Sequence, residues 1–285
     1  MLHPRRRRLR SMSLTSMIPN MMTVIALCSG LTSIRFGLAG EWALAAGAIV
    51  FAGVLDGLDG RLARALNSTT RFGAELDSLA DFVSFGVAPV VLLYQWTLSD
   101  LGGVGWIVVL GYSVCCALRL ARFNTGRPNP TEEPWAVGFF EGAPAPGAAG
   151  LALLPVFLSL QFGDGAFRWA SLIAFYVLAL SALMVSRVPT MSFKTIRFER
   201  DYVLAVLLVV ALAVAAISSY PWLTLSVISV AYFSTIPIGL VRYRRLSRLN
   251  AVLAKTDGAP ADEALNSPDT LDPRSDSDSD ADVMR

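Results

Sequence analysis

The sequence predicts an all-α fold, a polytopic membrane helical bundle of about eight transmembrane helices. Three observations carry that prediction. Only 16% of the 285 residues are charged while 54% are hydrophobic, against roughly 25% charge in soluble domains, and the mean hydropathy is +0.54. Apolar runs of the ~20 residues that cross a bilayer recur between residues 18 and 241. Basic residues gather on alternate connections, as the positive-inside rule requires.

Residues 1–17 hold five arginines, Arg5, Arg6, Arg7, Arg8 and Arg10. They read either as a short interfacial helix on anionic headgroups or as a solvated topological flag. Lipid is their expected partner, and no nucleic acid is expected. No small-residue cleavage pattern follows, so the leader is expected to remain as a cytoplasmic anchor. The spans are expected at about 18–37, 42–63, 77–97, 104–123, 144–162, 168–187, 202–218 and 222–241. With the N-terminus inside, nineteen basic residues fall on the inner side and only Arg35 and Arg168 on the outer. Both termini are then cytoplasmic. Trp42, Trp96, Trp106, Trp169 and Trp222 fall near outer interfaces and read as belt residues. Residues 250–285 are acidic and repetitive and are expected to be disordered.

Cys28, Cys115 and Cys116 lie within apolar runs and read as small buried residues, not as a disulfide framework. The single histidine, His3, is in the basic leader. Any metal site must therefore be built from oxygen.

The candidate site is the stretch from Asp56 to Asp81. Asp56 and Asp59 are i, i+3, roughly 60° apart on one helix face. Asp77 and Asp81 are i, i+4 and also share a face. A short inner turn between the two pairs makes the helices antiparallel neighbours, and all four carboxylates can converge at the cytoplasmic edge. Four such charges repel unless cations join them. Oxygen-only ligands suit Mg²⁺ or Mn²⁺, and two ions can bridge a pyrophosphate. Gly60 and Ala63 leave space for a nucleotide, Arg64 can pair with phosphate, Ser68, Thr69 and Thr70 offer hydroxyls, and Gly73 can open the start of the third span. Two other readings stay open here. The carboxylates could pair with Arg61, Arg64 and Arg71, or they could line a proton or cation pathway, which predicts charges near the bilayer middle and broken helices.

Asp56-x2-Asp59-Gly60-x2-Ala63-Arg64-x8-Gly73-x3-Asp77-x3-Asp81 resembles, at every fixed position, the signature of the CDP-alcohol phosphatidyltransferase family. The resemblance implies a six-helix catalytic core with two further helices, and displacement of CMP from a CDP-linked lipid by a hydroxyl acceptor. It implies that Asp56, Asp59, Asp77 and Asp81 hold metal, with Asp81 also the general base. It implies that Gly60, Arg64 and Thr70 contact the CDP moiety, beside Ala63 and Gly73, and that Pro19, Asn20 and Thr23 help form the nucleotide pocket. The implied division is a basic segment 1–17, a core 18–200, two added helices in 201–249, and the tail.

Arg119-Leu120-Ala121-Arg122-Phe123-Asn124, Phe140-Glu141-Gly142-Ala143-Pro144 and Ser192-Phe193-Lys194 resemble the bacterial and archaeal integral-membrane phosphatidylserine synthases, over about residues 18–200. One departure is Gly142-Ala143-Pro144, where related sequences more often have Gly-Leu-Pro. The resemblance implies CDP-diacylglycerol as donor, L-serine as acceptor and a homodimer. Arg119, Arg122 and Lys194 are cationic candidates for the serine carboxylate, and Asn124 for a hydrogen bond. Glycerol 3-phosphate, an inositol phosphate or choline are the alternative acceptors.

Overall fold

The computed structural model describes residues 17–66, 68–125, 139–141, 144–186, 189–191, 203–237 and 239. The basic leader to residue 16, Lys194 and the acidic tail lie outside the described residues. Eight helical stretches account for nearly all of the rest. They are α1 (Ile18–Leu38), α2 (Trp42–Ala65), α3 (Arg71–Trp96), α4 (Gly103–Thr125), α5 (Ala145–Phe162), α6 (Ala170–Val185), α7 (Val203–Ser219) and α8 (Pro221–Pro237). The first five are long and apolar enough to cross a membrane, and the others are shorter apolar helices. Large apolar side chains stand exposed along them, among them Phe51, Leu58, Ile107, Phe175 and Leu208. Water does not tolerate such a surface; lipid does, and the protein is a multi-pass membrane protein.

Two departures from the sequence expectation matter. The third span begins at Arg71, not near residue 77, so Asp77 sits inside the helix and not at its start. Thr70 sets this boundary. Its backbone is extended and its hydroxyl accepts from the Gly73 amide at 3.0 Å, which satisfies one orphan N–H of the first turn. The fold is also not purely helical. Phe139–Glu141 and Pro189–Met191 form a two-stranded antiparallel ladder, with Phe140 opposite Thr190.

Small residues let the first helices approach closely. Ala26, Gly30, Ser33 and Gly37 are buried on α1, and Ala45, Ala46 and Ala52 on α2. A Cβ on Gly30 would lie 2.8 Å from the Cα of Ser84 on α3, and the Ser84 hydroxyl donates to the Ala26 carbonyl at 3.3 Å.

α3 is interrupted. It is α-helical over Arg71–Asp81, widens into a π-turn over Phe82–Val87, and resumes as Ala88–Trp96. Pro89 supplies the cause, since it has no N–H to return to the Phe85 carbonyl. The hydroxyl of Tyr112 on α4 donates to that carbonyl at 3.3 Å, and Ser113 donates to the Gly86 carbonyl at 3.0 Å. The same device recurs in α5, which breaks at Leu153. Pro155 leaves the Leu151 carbonyl without its helical donor, and Tyr176 on α6 supplies one at 2.8 Å. Each tyrosine thus replaces a backbone bond that proline removes, where no water is at hand. Tyr112→Phe and Tyr176→Phe are each expected to cost about 1–3 kcal/mol by orphaning a buried carbonyl. A lowered thermal midpoint in detergent with unchanged substrate KM values would show it, and an unchanged midpoint would refute it.

The core gathers Trp96, Tyr112, Phe157, Leu92 and Leu93, all essentially inaccessible. Trp96 is therefore a core residue and not a belt residue. Its carbonyl accepts from Arg168 Nε at 2.9 Å, and that guanidinium lies 5.8 Å from its ring centroid. Of the cysteines, Cys116 is buried, Cys115 is partly buried and Cys28 is exposed. The expectation for Cys28 fails because it lies on the outward face of α1.

Candidate active site

The N-terminal turns of α1, the C-terminal half of α2 and the first turns of α3 meet at one end of the bundle. Between them is a cavity of about 170 Å³. Its lining includes Pro19, Asn20 and Thr23 from α1; Asp59, Gly60, Ala63 and Arg64 from α2; Ser68, Thr69 and Thr70 from the connection; and Gly73, Ala74 and Asp77 from α3. All eight positions assigned to the donor in the sequence fall in this one wall.

Close approach explains the two glycines. A Cβ on Gly73 would lie 2.7 Å from Asn20 Oδ1 and 3.1 Å from Thr70 Oγ1, so α1 can reach α3 here only over a glycine. A Cβ on Gly60 would meet nothing nearer than Arg64 Nη1 at 4.0 Å. The space above Gly60 is open cavity, and a side chain there would occupy it.

Carboxylates form the floor. Asp56, Asp59 and Asp77 each offer an oxygen, and the three oxygens lie within 4.8 Å of one another. Asp59 is only 4% exposed. The hydroxyl of Thr23 lies 2.7 Å from Asp59 Oδ2 and 3.1 Å from the Pro19 carbonyl, and the shorter bond to the carboxylate fixes its orientation. Asp81 is the last residue before the π-turn. Its side chain meets that of Asp56, and it is also within electrostatic reach of Asp59 and Asp77.

At this spacing each pair of charges repels by roughly 3–4 kcal/mol at an effective dielectric of about 20. Arginine does not relieve that repulsion: among the described residues the ion pair present is Arg168 with Asp164, and none joins the aspartates to Arg61, Arg64 or Arg71. An all-oxygen, anionic, preoriented donor set of this kind fits a hard divalent cation. The cluster of Asp56, Asp59 and Asp77 could hold a metal ion.

The residues assigned to the acceptor are less uniform. Asn124 is joined to Ser78 on α3, one position from Asp77, with Nδ2 donating to the serine hydroxyl at 2.9 Å. Arg122 donates from Nη1 to the Val185 carbonyl at the end of α6 at 3.0 Å, which gives it a helix-closing partner. Arg119 is half-buried, and Cys116, Asp81, Tyr232 and Tyr112 lie within electrostatic reach of it. Lys194 lies outside the described residues. Tyr232 is absent from the sequence-based assignment. It sits in an apolar run of α8, where an aromatic residue reads as core, and no spacing links it to the aspartates.

The family model for CDP-alcohol phosphatidyltransferase matches residues 16–184, and that for CDP-alcohol phosphatidyltransferase 2 matches residues 201–237. Three curated relatives carry the name CDP-diacylglycerol–serine O-phosphatidyltransferase. The Mycobacterium tuberculosis protein is 41% identical over 231 residues, covering 81% of this chain and 80% of its own length. The Mycobacterium leprae protein is 40% identical over 244 residues, covering 86% and 80%. The Helicobacter pylori protein is 34% identical over 196 residues, covering 69% and 81%. A match to transferases of this kind removes the ion-pathway reading.

Proposed function

Since this chain belongs to the CDP-alcohol phosphatidyltransferase family, we propose that it moves the phosphatidyl group of CDP-diacylglycerol onto the hydroxyl of L-serine, giving phosphatidylserine and CMP. The observation that carries this reading is the juxtaposition along α2 of three environments. Gly60, Ala63 and Arg64 border the polar cavity, Asp56 and Asp59 stand next, and Ile49, Val50, Gly53 and Val54 border an apolar cavity of about 260 Å³. A donor with a nucleotide at one end, a pyrophosphate in the middle and acyl chains at the other matches that order.

In this reading the cytidine end lies over Gly60 and Gly73, with Asn20, Thr70 and Arg64 around it. The acyl end lies toward Phe85, Leu153 and Phe157 of the apolar cavity. Asp56, Asp59 and Asp77, with Asp81, would hold two Mg²⁺ or Mn²⁺ ions, which neutralise the pyrophosphate and the charge developing on the departing CMP. Asp81 takes the proton of the serine hydroxyl. The serine oxygen then bonds to the β-phosphorus, and the bond from that phosphorus to the oxygen bridging the α-phosphorus breaks. CMP leaves with that oxygen, and the proton stays on Asp81. Serine arrives from the cytosol in this reading, which the excess of basic residues on the inner connections supports. All eight helices cross the bilayer in this arrangement, with residues 18–200 as the catalytic core and two added helices in 201–249.

The acceptor is the part to test. Purified protein is given CDP-diacylglycerol with serine, glycerol 3-phosphate, an inositol phosphate or choline, and CMP release is followed. Serine-dependent release is expected. Turnover of glycerol 3-phosphate without any serine-dependent release would sink the assignment.

A further inference from the structure

The apolar cavity is not walled by the aspartate-bearing helices alone. α8 supplies one side of it, with Leu225, Ile228, Ser229 and Tyr232. These fall at i, i+3, i+4 and i+7, a single helix face. α8 lies antiparallel on α5, and three contacts fix the register. Tyr232 lies against Gly147, where a Cβ would stand 3.0 Å from its ring. The Ser229 hydroxyl donates to the Gly150 carbonyl at 3.3 Å. Trp222 stacks on Phe157, with ring centroids 6.1 Å apart.

The cavity therefore has a direction. Ala145–Ala152 packs on the widened turn that follows Asp81, and there α5 gives the wall only Pro146, Gly147, Ala149 and Gly150. Gly53 of α2 adds no side chain either, and it comes one helical turn before Asp56. Farther along α5 the wall is Leu153 and Phe157, with Trp222 behind Phe157. Small residues border the end next to the carboxylates, and a stacked aromatic pair borders the far end. Size then limits the occupant. A dry apolar cavity of about 150 Å³ takes up a six-carbon ring, so one of about 260 Å³ has room for roughly ten carbons. That is the headgroup-proximal part of one acyl chain, and there is no room for two.

We propose that α8 is a selectivity wall, which holds the proximal carbons of one acyl chain of the donor against α2 and α5 and leaves the other chain in the bilayer. Leu225, at the outer end of this wall, is a specificity-determining residue for the donor. The proposal rests on CDP-diacylglycerol being the donor.

Leu225→Trp fills the cavity from α8 at its far end. Leu225 is seven residues, about 10 Å, along α8 from Tyr232, beyond the reach of a butyryl chain. Gly53→Leu fills the cavity from α2 beside the carboxylates, where a Cβ would be in ordinary contact with the Phe85 ring at 3.6 Å. Val227→Trp, on the exposed face of α8, is the control. KM is measured for the dioleoyl donor, the dibutyryl donor and serine. Added bulk in a packed apolar site predicts a rise of about five- to hundredfold in KM for the dioleoyl donor with Leu225→Trp. The KM values for the dibutyryl donor and for serine should stay in place. Gly53→Leu should raise KM for both donors and spare serine, and Val227→Trp should change none. Leu225→Phe, a smaller filling, should shift the dioleoyl KM in the same direction by less, and it carries the test if the tryptophan disturbs folding. An unchanged dioleoyl KM in the Leu225 variants would overturn the wall alone, as would equal rises for the two donors. If the wild-type protein turns over neither donor, the donor reading falls and the wall falls with it.

Discussion

Asp81→Asn is expected to lower serine-dependent CMP release by about 10²–10⁴-fold, the usual contribution of a positioned general base, while leaving CDP-diacylglycerol binding in place. The amide matches the carboxylate in size but cannot take a proton. Asp81 does not line the nucleotide cavity, and the closely spaced oxygens belong to Asp56, Asp59 and Asp77. The substitution therefore removes a proton acceptor, while the amide oxygen can still meet a cation and Asp56, Asp59 and Asp77 remain to hold the donor site. Turnover and calorimetric binding of CDP-diacylglycerol measured on the same preparation separate the two effects. Near-normal turnover would defeat the assigned role, and loss of binding along with turnover would assign Asp81 to the donor site instead.

Removal of divalent cations is expected to bring turnover to background, with recovery on adding Mg²⁺ or Mn²⁺. Stability should follow the same titration, because an ion that binds only the folded cluster raises the thermal midpoint by mass action. Thr23→Val gives the finer measurement. Thr23 orients Asp59 through the 2.7 Å bond, and losing a group that orients a ligand typically costs 10–100-fold in metal affinity. The cation concentration for half-maximal activity, and for the half-maximal shift in thermal midpoint, should both rise by about that factor. Activity indifferent to chelation, with no cation-dependent change in midpoint, would exclude the carboxylates as a metal site.

The parts of the fold and site legible in the sequence were those written locally. Apolar runs near the bilayer thickness marked out the helices, and most ends fall within a few residues of the expected positions. The aspartates lie within 26 consecutive residues, and one short turn brings them together, so their convergence follows from helix geometry alone. The earlier start of α3 could have been read from Thr70 as a capping residue. Other features depend on pairings that local spacing does not encode. The ladder joins Phe139–Glu141 to Pro189–Met191, about 50 residues apart along the chain. The bond from Thr23 to Asp59 spans 36 positions and that from Tyr112 to Phe85 spans 27. Tyr232 lies far along the sequence from Gly147, against which its ring packs. The bond from Arg122, a candidate for the acceptor carboxylate, to the Val185 carbonyl at the end of α6 is another pairing that local spacing does not encode.

The widened turn at Phe82–Val87 gives α3 one spare residue between its two halves. An α-helix rotates about 100° per residue, and a π-turn holds one residue more than an α-turn would. The stretch after it, Ala88–Trp96, is fixed in the core by Trp96 and by the bond from Tyr112 to the carbonyl just before Pro89. A single deletion within the turn would let the helix close into regular α form. Because the residue lost is the extra one that the π-turn holds, Asp77 and Asp81 would keep their facing toward Asp56 and Asp59, whereas a deletion in the regular turns on either side would swing them by about 100° relative to the anchored half. The widened turn is thus a length of slack beside the carboxylate cluster, able to give up one residue without putting its two halves out of phase.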